Sequence, residues 1–146
     1  MKNNDEIVHA LNNIMQFLHD SAECFKKHVY NVNDNQLKEL FAKYVISREE
    51  MLDEIKIAIC HFGKDIEVKG TLLGKTHMLF ENIKSYLTNG DAFAITKEVR
   101  RGENVLIDYY KEALKLDLPM GLKQVLIKHL AQIEEDIKKA DLLSIK

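Results

Sequence analysis

The sequence predicts an all-α protein. Apolar residues recur at steps of three and four along four long segments, helix breakers are scarce, and those that occur fall between the segments. One proline and six glycines in 146 residues leave room for long uninterrupted helices. Ile7, Leu11, Ile14, Leu18, Ala22, Phe25 and Val29 form one stripe, the pattern of an amphipathic helix. The run N-V-N-D-N (Asn31 to Asn35) ends it. Asp34 or Asn33 is placed to cap the next helix by accepting its first free N–H groups.

The second helix carries Leu37, Phe41, Tyr44, Met51, Ile55, Ala58 and Phe62 and stops at Gly63. After the polar stretch G-K-D-I-E-V-K-G, Thr71 caps a shorter helix, which T-N-G (Thr88 to Gly90) ends. Asp91 caps the next, with Ile95, Val99, Gly102, Leu106, Tyr109 and Ala113 on its seam. Pro119 suits the first turn of a last helix, where its missing N–H costs nothing. That helix turns Leu122, Leu126, Ile133 and Ile137 inward. The expected helices span about 4–31, 34–62, 71–88, 91–116 and 119–143 of a single domain covering 1–146.

Helices of about 25 residues are each roughly 37 Å long. The first two are joined by a tight turn, as are the last two, and 63–90 is long enough to return along their length. Two hairpins joined by one long crossover make the ferritin-like four-helix bundle, with the short helix lying along its outside. In that topology Cys24 and Cys60 stand about 18 residues, on the order of 27 Å, apart along the axis. A disulfide needs Cα atoms within about 7 Å, so both thiols are expected free.

Composition narrows the function classes. With 46% hydrophobic and 30% charged residues, the balance is that of a soluble globular chain. The formal charge of −2 and the lack of a basic stripe argue against nucleic acid as a partner. The polar opening M-K-N-N-D-E and the absence of a run of roughly 20 apolar residues argue against a membrane and for a cytoplasmic location.

Several motifs stand in a set order: L-N-N-I at Leu11, G-T-L-L-G-K-T-H from Gly70 to His77, Y-L-T-N-G-D from Tyr86 to Asp91, R-G-E-N from Arg101, and Y-Y-K-E-A-L from Tyr109. Over nearly the whole chain they resemble a bacterial family of ferritin-like four-helix-bundle proteins of unknown function. The resemblance implies membership of the ferritin-like proteins, whose best-known members hold two metal ions through Glu and Glu-x-x-His residues inside the bundle. It also suggests a stress-associated role. The chain departs from the family pattern at Ser47 and Arg100, where Glu is common, and at Ala140, where His is common.

A di-metal centre needs about four carboxylates and two imidazoles converging. The one Glu-x-x-His, Glu6 to His9, lies at the start of the first helix and has no counterpart in the last. The remaining metal candidates are Glu50, Glu103, His129 and His19. His19, Ser47, Glu103 and His129 fall at one level of the bundle, with Glu50 about one turn away. Arg48 lies on the seam of the second helix and Arg100 near it on the fourth. A fixed guanidinium repels a dication strongly at low dielectric, and Asp136 is the carboxylate expected to satisfy Arg100. The expectation is therefore ion pairs in place of metal, no cofactor, and a non-catalytic binding or stress-associated protein. The alternative is an iron or manganese protein with oxidase or storage activity.

Two surface features complete the reading. Tyr109 and Tyr110 are neighbours and cannot both face inward; with Tyr86 and Phe93 they suggest a homodimer face. His77 and Glu81 share a helical face with metal-ligand spacing, but their helix belongs to the crossover. His77 is expected to dock that helix, and Glu81 to be incidental.

Overall fold

The structure, a computed structural model, describes residues 2–64, 81–87 and 91–144. Four long helices dominate: α1 (Lys2–His28), α2 (Asn35–His61), α4 (Ala92–Leu114) and α5 (Met120–Ser144), with residues 81–87 forming α3. A single 3-10 turn, Val29–Asn31, finishes α1. No strand occurs among the described residues. His77 and the Gly70–His77 motif lie outside them, as does the expected cap Thr71.

Side-chain chemistry sets the boundaries. Asp34 caps α2, its Oδ1 accepting from Leu37 N at 3.0 Å, and Asp91 caps α4, accepting from Ala94 N at 2.8 Å. Each satisfies a backbone donor that the first helical turn leaves open. Gly63, at φ +72°, ends α2 in the left-handed region that glycine enters without a Cβ clash. Pro119 stands just before α5, and its carbonyl accepts from Lys123 N, the first bond of the helix.

α1 packs on α2 and α4, and α5 on α4 and α2. The core lies between them. The α1 stripe is wholly buried from Ile7 to Val29, as are Leu37, Phe41, Tyr44, Met51 and Ile55 of α2. α3 adds Ile83 and Leu87 to the same core. At the end nearest the α1–α2 turn, Phe25, Phe41 and Tyr44 form an aromatic cluster with centroids 5.2–5.9 Å apart. Cys24 is half-buried and Cys60 exposed, and no disulfide joins the two.

The seam of α4 differs from expectation at its C-terminal half. Tyr110 is fully buried, while Tyr109 is half-buried with its ring edge-on to Phe17 at 5.8 Å. The buried stripe runs Val99, Glu103, Leu106, Tyr110 and Ala113, stepping by four where a step of three selects Tyr109. Phe93 and Tyr86 are exposed, at 67% and 40%.

Candidate functional site

The polar residues of interest occupy apolar stripe positions. Arg48 follows Tyr44 by four and precedes Met51 and Ile55, so the phase of α2 carries it inward. In α5 the buried stripe is Leu126, His129, Ile133, Asp136 and Ala140, every member three or four residues from the last. Glu103 takes its place in α4 in the same way. The helices deliver these charges to the interior because their neighbours on the stripe are hydrophobic.

There they meet. The Arg48 side chain is 0% exposed, and it donates through Nη2 to Glu103 Oε2 and through Nη1 to Asp136 Oδ2, both at 2.9 Å. One residue of α2 is thereby tied to α4 and to α5. Tyr44 supports the cation from below, its ring centroid 4.8 Å from the guanidinium carbon, and its hydroxyl donates to the Asp136 carbonyl at 2.7 Å. Gln132 donates to Asp136 Oδ1 at 2.9 Å. Within the guanidinium, Nε is a buried donor with no hydrogen-bond partner.

The charges do not balance. One guanidinium faces two carboxylates, so the cation gains from both while each anion receives a share of one cation. Burial works against the charged guanidinium, but the fields of Glu103 and Asp136 outweigh it and hold its pKa above the usual value. Glu103 moves upward: burial disfavours its carboxylate more than Arg48 favours it, and Asp136 adds to the rise.

A second buried pair lies beside the first. Tyr110 Oη and His129 Nδ1 are 2.7 Å apart, and the imidazole is 2% exposed. Burial lowers the His129 pKa against the opposing field of Glu54, so the ring is neutral, and burial raises the Tyr110 phenol. Which of the two donates follows the ring tautomer, and the other ring nitrogen, Nε2, is buried. Glu54 Oε1 stands 3.5 Å from that nitrogen, which has no hydrogen-bond partner.

The four metal candidates are only partly gathered. Glu103 and His129 are core residues, but Glu103 is engaged by Arg48 and His129 by Tyr110. Glu50 is exposed on α2, and His19 is half-buried with Nδ1 3.2 Å from Asp20. Among the described residues, no three His, Cys, Asp or Glu side chains are grouped so as to hold a metal ion. The di-metal centre implied by the resemblance does not fit these residues. A dication on Glu103 would stand within a few ångströms of a guanidinium that cannot lose its charge.

Sequence reasoning paired Asp136 with Arg100, whereas Asp136 binds Arg48 and the exposed Arg100 pairs with Asp141. The level along the hairpin was right to about a turn; the rotational phase was not. Sequence reasoning put Tyr109 on the seam in place of Tyr110, and it did not single out Glu54. Tyr110 is marked by the four-residue step from Leu106, whereas nothing local marks Glu54.

The family model described as Domain of unknown function (DUF2383) matches residues 6–116. The chain belongs to this family. A comparison with curated proteins finds no match. In this DUF2383 chain the matched region includes Arg48 and Glu103, while Asp136 and His129 come from α5, beyond its end. Among the described residues, no helix is long and apolar enough to cross a membrane.

Proposed function

We propose that the chain is a ferritin-like four-helix bundle whose central cation is the Arg48 guanidinium, and that it acts as a non-catalytic binding protein. The hairpins α1–α2 and α4–α5, with α3 in the long connection, support the ferritin-like reading. The observation that carries the functional reading is the fully buried Arg48, 2.9 Å from both Glu103 and Asp136. It occupies the space between carboxylates that a metal ion needs. A guanidinium neither exchanges protons near neutral pH nor changes oxidation state, so it supplies structure and no chemistry. The Tyr110–His129 pair is sealed from solvent and lies out of a substrate's reach.

Elemental analysis of protein purified without added metal tests the proposal. Iron, manganese and zinc are each expected far below one atom per chain. Stoichiometric metal in the native protein that disappears in Glu103→Ala would refute it.

A further inference from the structure

The seam between α2 and α5 holds a bond that the neutral protein leaves unmade. Glu54 Oε1 on α2 lies 3.5 Å from His129 Nε2 on α5. That gap exceeds a good N–H···O bond of about 2.7–3.2 Å. The ring is 2% exposed and Nε2 is buried with no hydrogen-bond partner, while Nδ1 is held 2.7 Å from Tyr110 Oη. A buried polar atom left unpaired is costly, and here the group that would satisfy it already faces it. Among the described residues, His129 belongs to no group of side chains placed to hold a metal ion.

Protonation changes what the ring can do. The neutral imidazole carries one N–H, on the nitrogen its tautomer selects; the protonated ring carries two and serves Tyr110 and Glu54 at once. A charge-assisted N–H···O bond then closes to about 2.7–2.9 Å. Glu54 makes that closure by its own rotation: its side chain is 39% exposed, whereas the ring is packed on every side. Being in contact with solvent, it is also the route by which a proton reaches the ring. Glu54 lines a cavity of about 580 Å³ between the end of α2 and the start of α5, whose wall is mostly apolar and includes Ile57, Phe62, Leu122 and Val125.

We infer that His129 and Glu54 form a pH-operated latch between α2 and α5: protonation of the imidazole draws the Glu54 carboxylate onto Nε2, ties the two helices and turns the charge away from the cavity wall. The groups around the pair set its direction. From α2, Glu54 favours the charged ring and Arg48 opposes it; on α5 itself, Lys128 opposes it. α4 presents Tyr110, a neutral phenol, and Glu103, which Arg48 engages together with Asp136 of α5. Burial also works against the charged ring, so the latch closes on the acid side of the ordinary histidine value of about 6.5. His61 is the other imidazole on the cavity wall and has to be separated from His129 in any test. The latch does not depend on what occupies the centre of the bundle, so the inference stands apart from the proposed function.

NMR of the full-length protein, titrated downward from about pH 8 and read at the imidazole nitrogens and side-chain carboxyl carbons, tests it. The His129 ring should titrate below about 6.5, and the Glu54 carboxyl carbon should shift with the same midpoint. Backbone amides of 57–62 and 121–125 should follow, because the cavity wall loses its charge. Glu54→Gln keeps the size and removes the charge. It should lower the His129 midpoint by about one pH unit, a tenfold loss of proton affinity and the low end for an opposite charge this close. His61→Gln should leave the midpoint and the cavity shifts in place. A His129 midpoint unmoved by Glu54→Gln, or a Glu54 carbon that does not follow the ring, would overturn the inference. So would cavity shifts that vanish with His61, or acid unfolding of the native protein before the ring titrates, since the latch would then never close in the folded state.

Discussion

Arg48 brings one positive charge to two buried carboxylates, and burial, which that charge does not fully offset, raises the Glu103 pKa. A carboxyl whose folded pKa is raised binds more protons in the folded state. It contributes stability that is complete below the unfolded value of about 4.3 and is lost as pH rises through the folded value. His129 is the reverse case. Its pKa is lowered by burial, so its contribution is complete above about 6.5 and is lost as pH falls through the folded value. The two slopes are opposite in sign. Comparing urea midpoints of the native protein and Glu103→Gln isolates the first. The native protein should gain on the variant as pH falls through the folded Glu103 value toward about 4.3, by up to about 1.4 kcal/mol per pH unit for one proton. A constant difference would place Glu103 fully ionised in the folded state.

The cysteines give a second test at this scale. Burial, reinforced by Glu81, pushes the Cys24 thiol up to about 11, whereas Cys60 is exposed. The thiolate is the reactive form. A disulfide reagent at mildly alkaline pH should therefore modify Cys60 quickly and Cys24 on the order of a hundredfold more slowly. A single fast phase of two thiols would contradict the packing of α3 beside α1.

Among the elements, the caps and breakers were legible in the sequence because their chemistry is local. Asp34 and Asp91 bond to backbone groups three residues away, and Gly63 and Pro119 act on their own dihedrals. Asp34→Ala and Asp91→Ala should each cost about 1 kcal/mol in chemical denaturation. The caps begin different helices, so the losses should add. Gly63→Ala forces a Cβ into the left-handed region and should cost about 1–2 kcal/mol, although nothing crowds the position.

The α1 stripe was also legible, since every residue of it is apolar and the period is unambiguous. The other seams were read less well for a specific reason. Arg48, Glu103, His129 and Asp136 are seam residues in polar guise, and a stripe traced through apolar residues alone steps around three of them. Omitting Glu103 allows a three-residue step onto Tyr109 in place of Tyr110. Arg48 was identified because Tyr44 and Met51 bracket it. Its partners depend on how α4 and α5 are rotated about their axes, which no spacing within one chain segment specifies.

At the scale of the molecule, α5 lies beyond the family match yet supplies Leu126, Ile133 and Ala140 to the core and Asp136 to Arg48. Ending the chain after Leu116 removes one of Arg48's two carboxylates and one wall of the core. Such a chain should lose its cooperative urea transition, with helix content falling by circular dichroism well beyond the share owed to α5 alone. A truncated chain that still unfolded cooperatively would show α5 to be an accessory.

The buried network raises the larger question of what it contributes to the whole. Breaking a buried ion pair from one side strands a charge and costs roughly 3–5 kcal/mol, whereas replacing all members by apolar residues of similar volume is often neutral or better. If Arg48 is the neutralising cation of this core, the two kinds of change must separate widely. The direct measurement is urea unfolding of Arg48→Met beside the triple variant Arg48→Met, Glu103→Leu, Asp136→Leu. The single variant should lose about 3–5 kcal/mol and the triple variant should recover most of that loss. A single variant as stable as the native protein, or a triple variant no better than the single one, would contradict the account.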